Sequence, residues 1–167
     1  RHKDKADTPT MGGVLILAAF LLSVLLCGNL SNRMVWITLV AAIGFALIGA
    51  LDDWKKIAGK NYKGISAKGK LLAQGTLSLF IALMIFNLPE DTFLFRASEN
   101  ESVISAAATV TTIFFKWLVP LGILYIPWVM MVLVFTSNAV NLTDGLDGLA
   151  IGCVLFVASA FALLSYL

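Results

Sequence analysis

Five stretches of this chain are almost free of charge: residues 11–27, 34–51, 71–88, 118–135 and 149–167. Each approaches or reaches the ~17–25 residues that an α-helix needs to cross a hydrocarbon core about 30 Å thick. Polar segments separate them. The pattern predicts an all-α polytopic membrane protein with five transmembrane helices, forming a single transmembrane domain over residues 1–167. The first stretch is not a cleavable signal peptide, because it lacks an A-x-A-like site and four more spans follow.

The polar connections carry turn and helix-boundary signals. Pro9 disfavours helix at Thr8, so the first helix is expected at or after Pro9. The short turn at 28–33 makes the first two spans an antiparallel pair. The second span ends at Leu51-Asp52-Asp53-Trp54, and a basic loop follows to Lys70, with Gly59, Gly64 and Gly69 interrupting any long helix. In the external segment 89–117, residues 92–95 and 103–115 are rich in β-branched and aromatic side chains. That composition fits a small hairpin or an interfacial segment. Pro120 and Pro127 fall in the fourth span, where proline can kink a membrane helix. No internal repeat, low-complexity run, coiled-coil heptad or soluble domain is visible.

Composition agrees with the pattern. Hydrophobic residues make up 59% and charged residues 13%, against about 25% charged in a soluble globular protein; mean hydropathy is +0.91. The net charge of +2 says less than its distribution. With residue 1 in the cytoplasm, Arg1, Lys3, Lys5, Lys55, Lys56, Lys60, Lys63, Lys68 and Lys70 lie inside, and only Arg33, Arg96 and Lys116 outside. That satisfies the positive-inside rule and puts the loop at 138–148 on the cytoplasmic side. Cys27 and Cys153 then sit on opposite sides of the bilayer, which disfavours a disulfide. The basic loop has no interleaved aromatics, so nucleic acid is not an expected partner. The start at Arg1, the stop at Leu167 in an apolar run and the odd number of spans lead us to expect a piece of a larger protein.

Four clusters could carry chemistry. Asp52 and Asp53 are adjacent on a helix, so their side chains diverge by about 100°; one could face a cavity while the other bonds a neighbouring helix or lysine. Plain capping of a membrane helix is the alternative, although a helix C-terminus disfavours anions. Asn141, Asp144 and Asp147 are spaced by three, which puts them on one face of any helical turn. Amides and carboxylates together can read a nucleobase or sugar, or hold Mg²⁺ through oxygen; an Asx/Gly turn between spans explains them equally simply. The EF-hand pattern is absent. The lysines at 55–70 fit topology and attraction to anionic membrane lipid, and one or two of them could meet a polyphosphate. Lys5 with Thr8-Pro9-Thr10-Met11-Gly12-Gly13 offers hydroxyls and N–H groups for phosphate at a helix start, or simply a helix N-cap.

Taken together, the strings Thr8-Pro-Thr-Met-Gly-Gly, Leu51-Asp-Asp-Trp, Lys63-Gly-Ile-Ser-Ala-Lys and Asn138-Ala-Val-Asn-Leu-Thr-Asp-Gly-Leu-Asp-Gly-Leu-Ala closely resemble a known family. In order and spacing they are similar to the phospho-N-acetylmuramoyl-pentapeptide transferases (MraY) of the polyprenyl-phosphate phosphoglycosyl transferase superfamily. The resemblance covers essentially the whole chain. It implies a bacterial inner-membrane enzyme of ten membrane helices, of which these would be the second to the sixth, working at the cytoplasmic face. The reaction would move phospho-MurNAc-pentapeptide from UDP-MurNAc-pentapeptide to undecaprenyl phosphate with Mg²⁺, giving lipid I and UMP; a homodimer would be compatible with it.

By motif position, the resemblance implies that Asp52 and Asp53 form the acidic pair of the catalytic centre, one of them a candidate base and either a candidate Mg²⁺ ligand. Lys68 would contact phosphate, with Lys5 and Thr10 nearby. Lys56, Ile57 and Lys60 would border the uridine pocket, and Asn141, Asp144 and Asp147 would complete the polar centre. The family's later Mg²⁺-binding aspartate and histidine-rich loop are not among these 167 residues, so this chain alone is expected to be inactive. The alternatives are a related transferase using UDP-GlcNAc or another UDP-sugar, and a non-catalytic membrane scaffold or transporter half.

Overall fold

The computed structural model describes residues 12–58, 64–88, 109–111, 118–143 and 149–166. Five α-helices dominate the described residues: α1 (Gly12–Cys27), α2 (Arg33–Ala58), α3 (Ala67–Phe86), α4 (Tyr125–Thr143) and α5 (Leu149–Tyr166). Four helical segments, Arg33–Lys56, Ala67–Phe86, Gly122–Thr143 and Leu149–Tyr166, are long and apolar enough to cross a membrane. At 16 residues, α1 is about 24 Å long, short of a full hydrocarbon core.

The chain divides into two compact units, Arg1–Met130 and Met131–Leu167. In the first, α1 and α2 are joined by a tight turn. Asn32 Oδ1 accepts the Met34 N–H at 2.9 Å, satisfying a donor that the start of α2 cannot pair internally. The Trp36 indole N–H donates to the Leu30 carbonyl at 2.8 Å and ties the turn to the helix. α3 packs on α2 at close range: a Cβ on Gly44 would lie 2.6 Å from Leu77 Cδ2. Ile37, Leu39, Ile81 and Ala82 are buried. Gln74 and Ser78 are buried too, at 1% and 0% exposure, although both are polar.

Two boundaries differ from the sequence expectation. α2 does not stop at residue 51 but runs on to Ala58. Asp52 and Asp53 therefore lie inside a helix rather than at its C-terminus, and the dipole argument against anions there does not apply, since it acts only within the last turn. The fourth helix is displaced the other way. Residues Leu118–Pro120 form a strand (β2) paired antiparallel with Thr109–Thr111 (β1), in register Thr109↔Pro120, Val110↔Val119 and Thr111↔Leu118.

A hairpin was therefore the right reading for the end of the external segment, and residues 89–108 lie outside the described part. Gly122, at φ 52°, turns the chain as an L side chain rarely can, and a single 3₁₀ turn (Gly122–Leu124) leads into α4. Pro127 then falls in the first turn of α4, where its missing N–H breaks no internal bond. Neither proline kinks a helix interior.

The second unit contains most of α4 and all of α5. α4 extends to Thr143, so Asn138 and Asn141 are helical rather than part of a loop. Asn138 Nδ2 donates to the Val134 carbonyl one turn back at 2.8 Å, and Thr143 Oγ1 donates to Val140 at 2.8 Å. α5 has no residue buried within the chain, as expected of an apolar helix whose faces meet lipid or other helices.

Candidate active site at the α2–α3 junction

The cytoplasm-assigned end of α2 carries Asp52, Asp53, Lys55 and Lys56 in its last two turns. Asp52 points inward, with 8% exposure. Its Oδ1 accepts the backbone N–H of Ile65 at 2.7 Å. Its Oδ2 lies 2.8 Å from Lys56 Nζ, one turn on, and 3.9 Å from Lys70 Nζ on α3. Burial of a carboxylate is costly unless it is paired and hydrogen-bonded, and this one is both. One residue along, Asp53 has turned outward; its side chain is 58% exposed and takes a 3.0 Å contact from the same Lys56 Nζ. Lys56 thus bridges the two acids.

The approach of Ile65 to Asp52 depends on Gly64. A Cβ there would collide with Asp52 Oδ1 and come within 2.9 Å of Lys56 Cε. Immediately after, Ser66 caps α3 by accepting the Gly69 N–H at 3.2 Å, the local bond that starts the helix. Asp53 also closes one end of a cleft of about 350 Å³ between α1 and α2, otherwise lined by apolar and glycine residues including Val14, Leu17, Leu47 and Ala50.

Of the residues singled out from sequence, the structure brings together Asp52, Asp53 and Lys56. Lys68 lies in the first turn of α3, exposed, at a shallow groove lined by Leu71, Leu72, Gly75, Thr76, Leu79 and Met130. Ile57 belongs to the last turn of α2. Asn141 is exposed in the last turn of α4, in the second unit. Lys5, Thr10, Lys60, Asp144 and Asp147 lie outside the described residues. Among the described residues, no three His, Cys, Asp or Glu side chains gather as a metal-binding group.

Sequence reasoning missed Gly64 and the Ile65 N–H, which no local signal marks. It counted Lys70 only as one of a basic set. Lys70, Gln74 and Ser78 recur every four residues in an otherwise apolar helix. That spacing puts them on one face and was the available signal that this face packs inward.

Comparison with known proteins settles the kinship. Residues 35–167 match the sequence model of glycosyl transferase family 4. The chain belongs to glycosyl transferase family 4. Within that family, residues 5–17 match signature 1 of phospho-N-acetylmuramoyl-pentapeptide transferase.

Family 4 relatives bearing the transferase name align along nearly the whole chain. The phospho-N-acetylmuramoyl-pentapeptide transferase of Thermodesulfovibrio yellowstonii is 44% identical over 99% of this chain and 43% of its own length. That of Rickettsia felis is 44% identical over 99% of this chain and 42% of its own. That of an Anaeromyxobacter species is 44% identical over 99% of this chain and 44% of its own. The chain thus spans less than half the length of the curated relatives it matches. Family membership and the apolar helices together make this a multi-pass membrane protein.

Proposed function

We propose that the full-length protein transfers phospho-MurNAc-pentapeptide from UDP-MurNAc-pentapeptide to undecaprenyl phosphate at the cytoplasmic face of the bacterial inner membrane, releasing UMP and forming lipid I. The observation that carries this reading is the Asp52–Lys56–Asp53 cluster at one end of membrane-length helices, on the Leu51-Asp-Asp-Trp string, in a chain whose relatives bear that name. In the net reaction an oxygen of the lipid phosphate bonds to the phosphorus attached to the sugar. The bond from that phosphorus to UMP breaks.

Phosphoryl transfer asks a protein for alignment and charge neutralisation more than for covalent chemistry. The cluster has the groups for it. The Lys56 ammonium, already held between two carboxylates, can meet diphosphate oxygens, and Lys68, exposed on the first turn of α3, offers a second cation. The exposed carboxylate of Asp53 can accept a proton from the lipid phosphate. A polyprenyl tail would remain in the bilayer while its phosphate reaches this end of the helices.

The donor chemistry also fits Mg²⁺, which takes one or two protein carboxylates and completes its shell with phosphate oxygens and water. Asp53 is the described carboxylate with oxygens open to it. When bound, the ion would offset diphosphate charge. Purified full-length protein supplied with undecaprenyl phosphate, Mg²⁺ and either UDP-MurNAc-pentapeptide or UDP-GlcNAc tests the assignment. Lipid I and UMP are expected from the first donor; turnover of UDP-GlcNAc alone would refute it.

A further inference from the structure

Asp52 and Asp53 are neighbours in sequence and unlike in setting. Asp52 has both oxygens engaged, Oδ1 by the Ile65 N–H at 2.7 Å and Oδ2 by Lys56 at 2.8 Å, with Lys70 at 3.9 Å. Only 12% of its side chain is exposed, against 58% for Asp53. Asp53 makes an ion pair to Lys56 and stands at the mouth of the α1–α2 cleft. Resting on the transferase reading, we infer that Asp52 is a positioning residue, a latch between α2 and the start of α3, and that Asp53 is the carboxylate that meets the substrate.

Three observations build the latch. Its hydrogen bond joins a side chain on α2 to a backbone amide thirteen residues on. A charge-assisted bond of this kind is about twice as strong as a neutral one. It sits one residue before the Ser66 cap, so holding Ile65 fixes where α3 begins and therefore where Lys68 and Lys70 stand. It also requires glycine at 64, because any Cβ there would occupy the space of Asp52 Oδ1. The carboxylate's lone pairs are thus spent on the protein. Asp53, about 100° round the helix, keeps its own for a ligand.

Steady-state kinetics of the full-length protein in lipid nanodiscs separates the two roles. Asp53→Asn is expected to lower kcat by about 10²–10⁴-fold, the range for loss of a general base. Asp52→Asn and Gly64→Ala are each expected to raise KM for the nucleotide sugar by about tenfold while kcat changes by less than about threefold, the mark of lost binding rather than lost transition-state contact. Because both disturb one contact, the double variant should lose no more than the worse single one. A fall in kcat for Asp52→Asn as deep as that of Asp53→Asn, at unchanged KM, overturns the assignment; so does additivity of Asp52→Asn and Gly64→Ala.

Amide hydrogen exchange at Ile65 reads the latch without turnover: protection is expected in the wild type and its loss in Asp52→Ala. Should Asp52→Ala fail to fold, Gly64→Ala gives the same readout. An Ile65 amide that exchanges freely in the wild type overturns the latch whatever the activity. A protected Ile65 in a protein that does not turn over UDP-MurNAc-pentapeptide leaves the latch standing and removes the transferase reading instead.

Discussion

Asp52 Oδ1 accepts the Ile65 backbone N–H at 2.7 Å, so a carboxylate on α2 decides where α3 begins. The bond joins a helix interior to the residue before the next helix's cap. That makes the α2–α3 junction a built structure rather than a loose basic loop.

This bond makes Asp52 the costlier of the two acids to remove. Asp52→Ala takes a buried acceptor from the Ile65 N–H and is expected to destabilise the full-length protein by about 1.5–3 kcal/mol, the range for hydrogen bonds to charged groups. Asp53→Ala removes only an exposed ion pair and should cost at most about 1 kcal/mol. Thermal unfolding in detergent, followed by circular dichroism, gives both. Equal losses would contradict the difference in burial.

The helix pair should be equally sensitive at its closest approach. Gly44→Ala puts a methyl 2.6 Å from Leu77 Cδ2 and is expected to cost about 1–3 kcal/mol through overpacking. Leu77→Ala in the same chain should recover part of that loss, since residues in contact couple. The same melts check it, and a purely additive pair would place the two residues out of contact.

Ser78 offers the opposite sign. Its Oγ is buried with no hydrogen-bond partner among the described residues, and an unsatisfied buried hydroxyl carries a desolvation cost of about 1–3 kcal/mol. Ser78→Ala is therefore expected to leave stability unchanged or to raise it. A clear loss of Tm would show that the hydroxyl has a partner in the complete protein.

Chelation tests the metal. Treating the full-length protein with EDTA is expected to abolish release of UMP, and added Mg²⁺ to restore it. In Asp53→Asn, activity should need a higher Mg²⁺ concentration, because a carboxylate ligand is lost. Residual activity titrated against Mg²⁺ reports both, and full activity in EDTA would refute the metal.

Helices were legible from the chain because a long uncharged run has few options in lipid: it must satisfy its backbone internally. The glycine and asparagine signals at 28–33 correctly marked the turn between α1 and α2. Their ends were less legible. Hydrophobicity stops at Leu51, whereas hydrogen bonding carries α2 on to Ala58 through polar residues that are adequate helix formers. At the other end, residues 118–120 are apolar enough for a span but pair as a strand, and Gly122 breaks the run before α4 can begin.

The sequence by itself determined which residue types gather at the ends of apolar runs, and its four motif strings determined the family. Those are local properties, set by hydropathy, charge and spacing. Only the tertiary structure decided that Asp52 turns inward while Asp53 stays open, that Lys70 joins the cluster, and that Gly64 must lack a side chain. Each of these depends on the approach of two helices separated by a connecting segment. The distance between a carboxylate and an amide thirteen residues away is fixed by packing, and no local pattern encodes it.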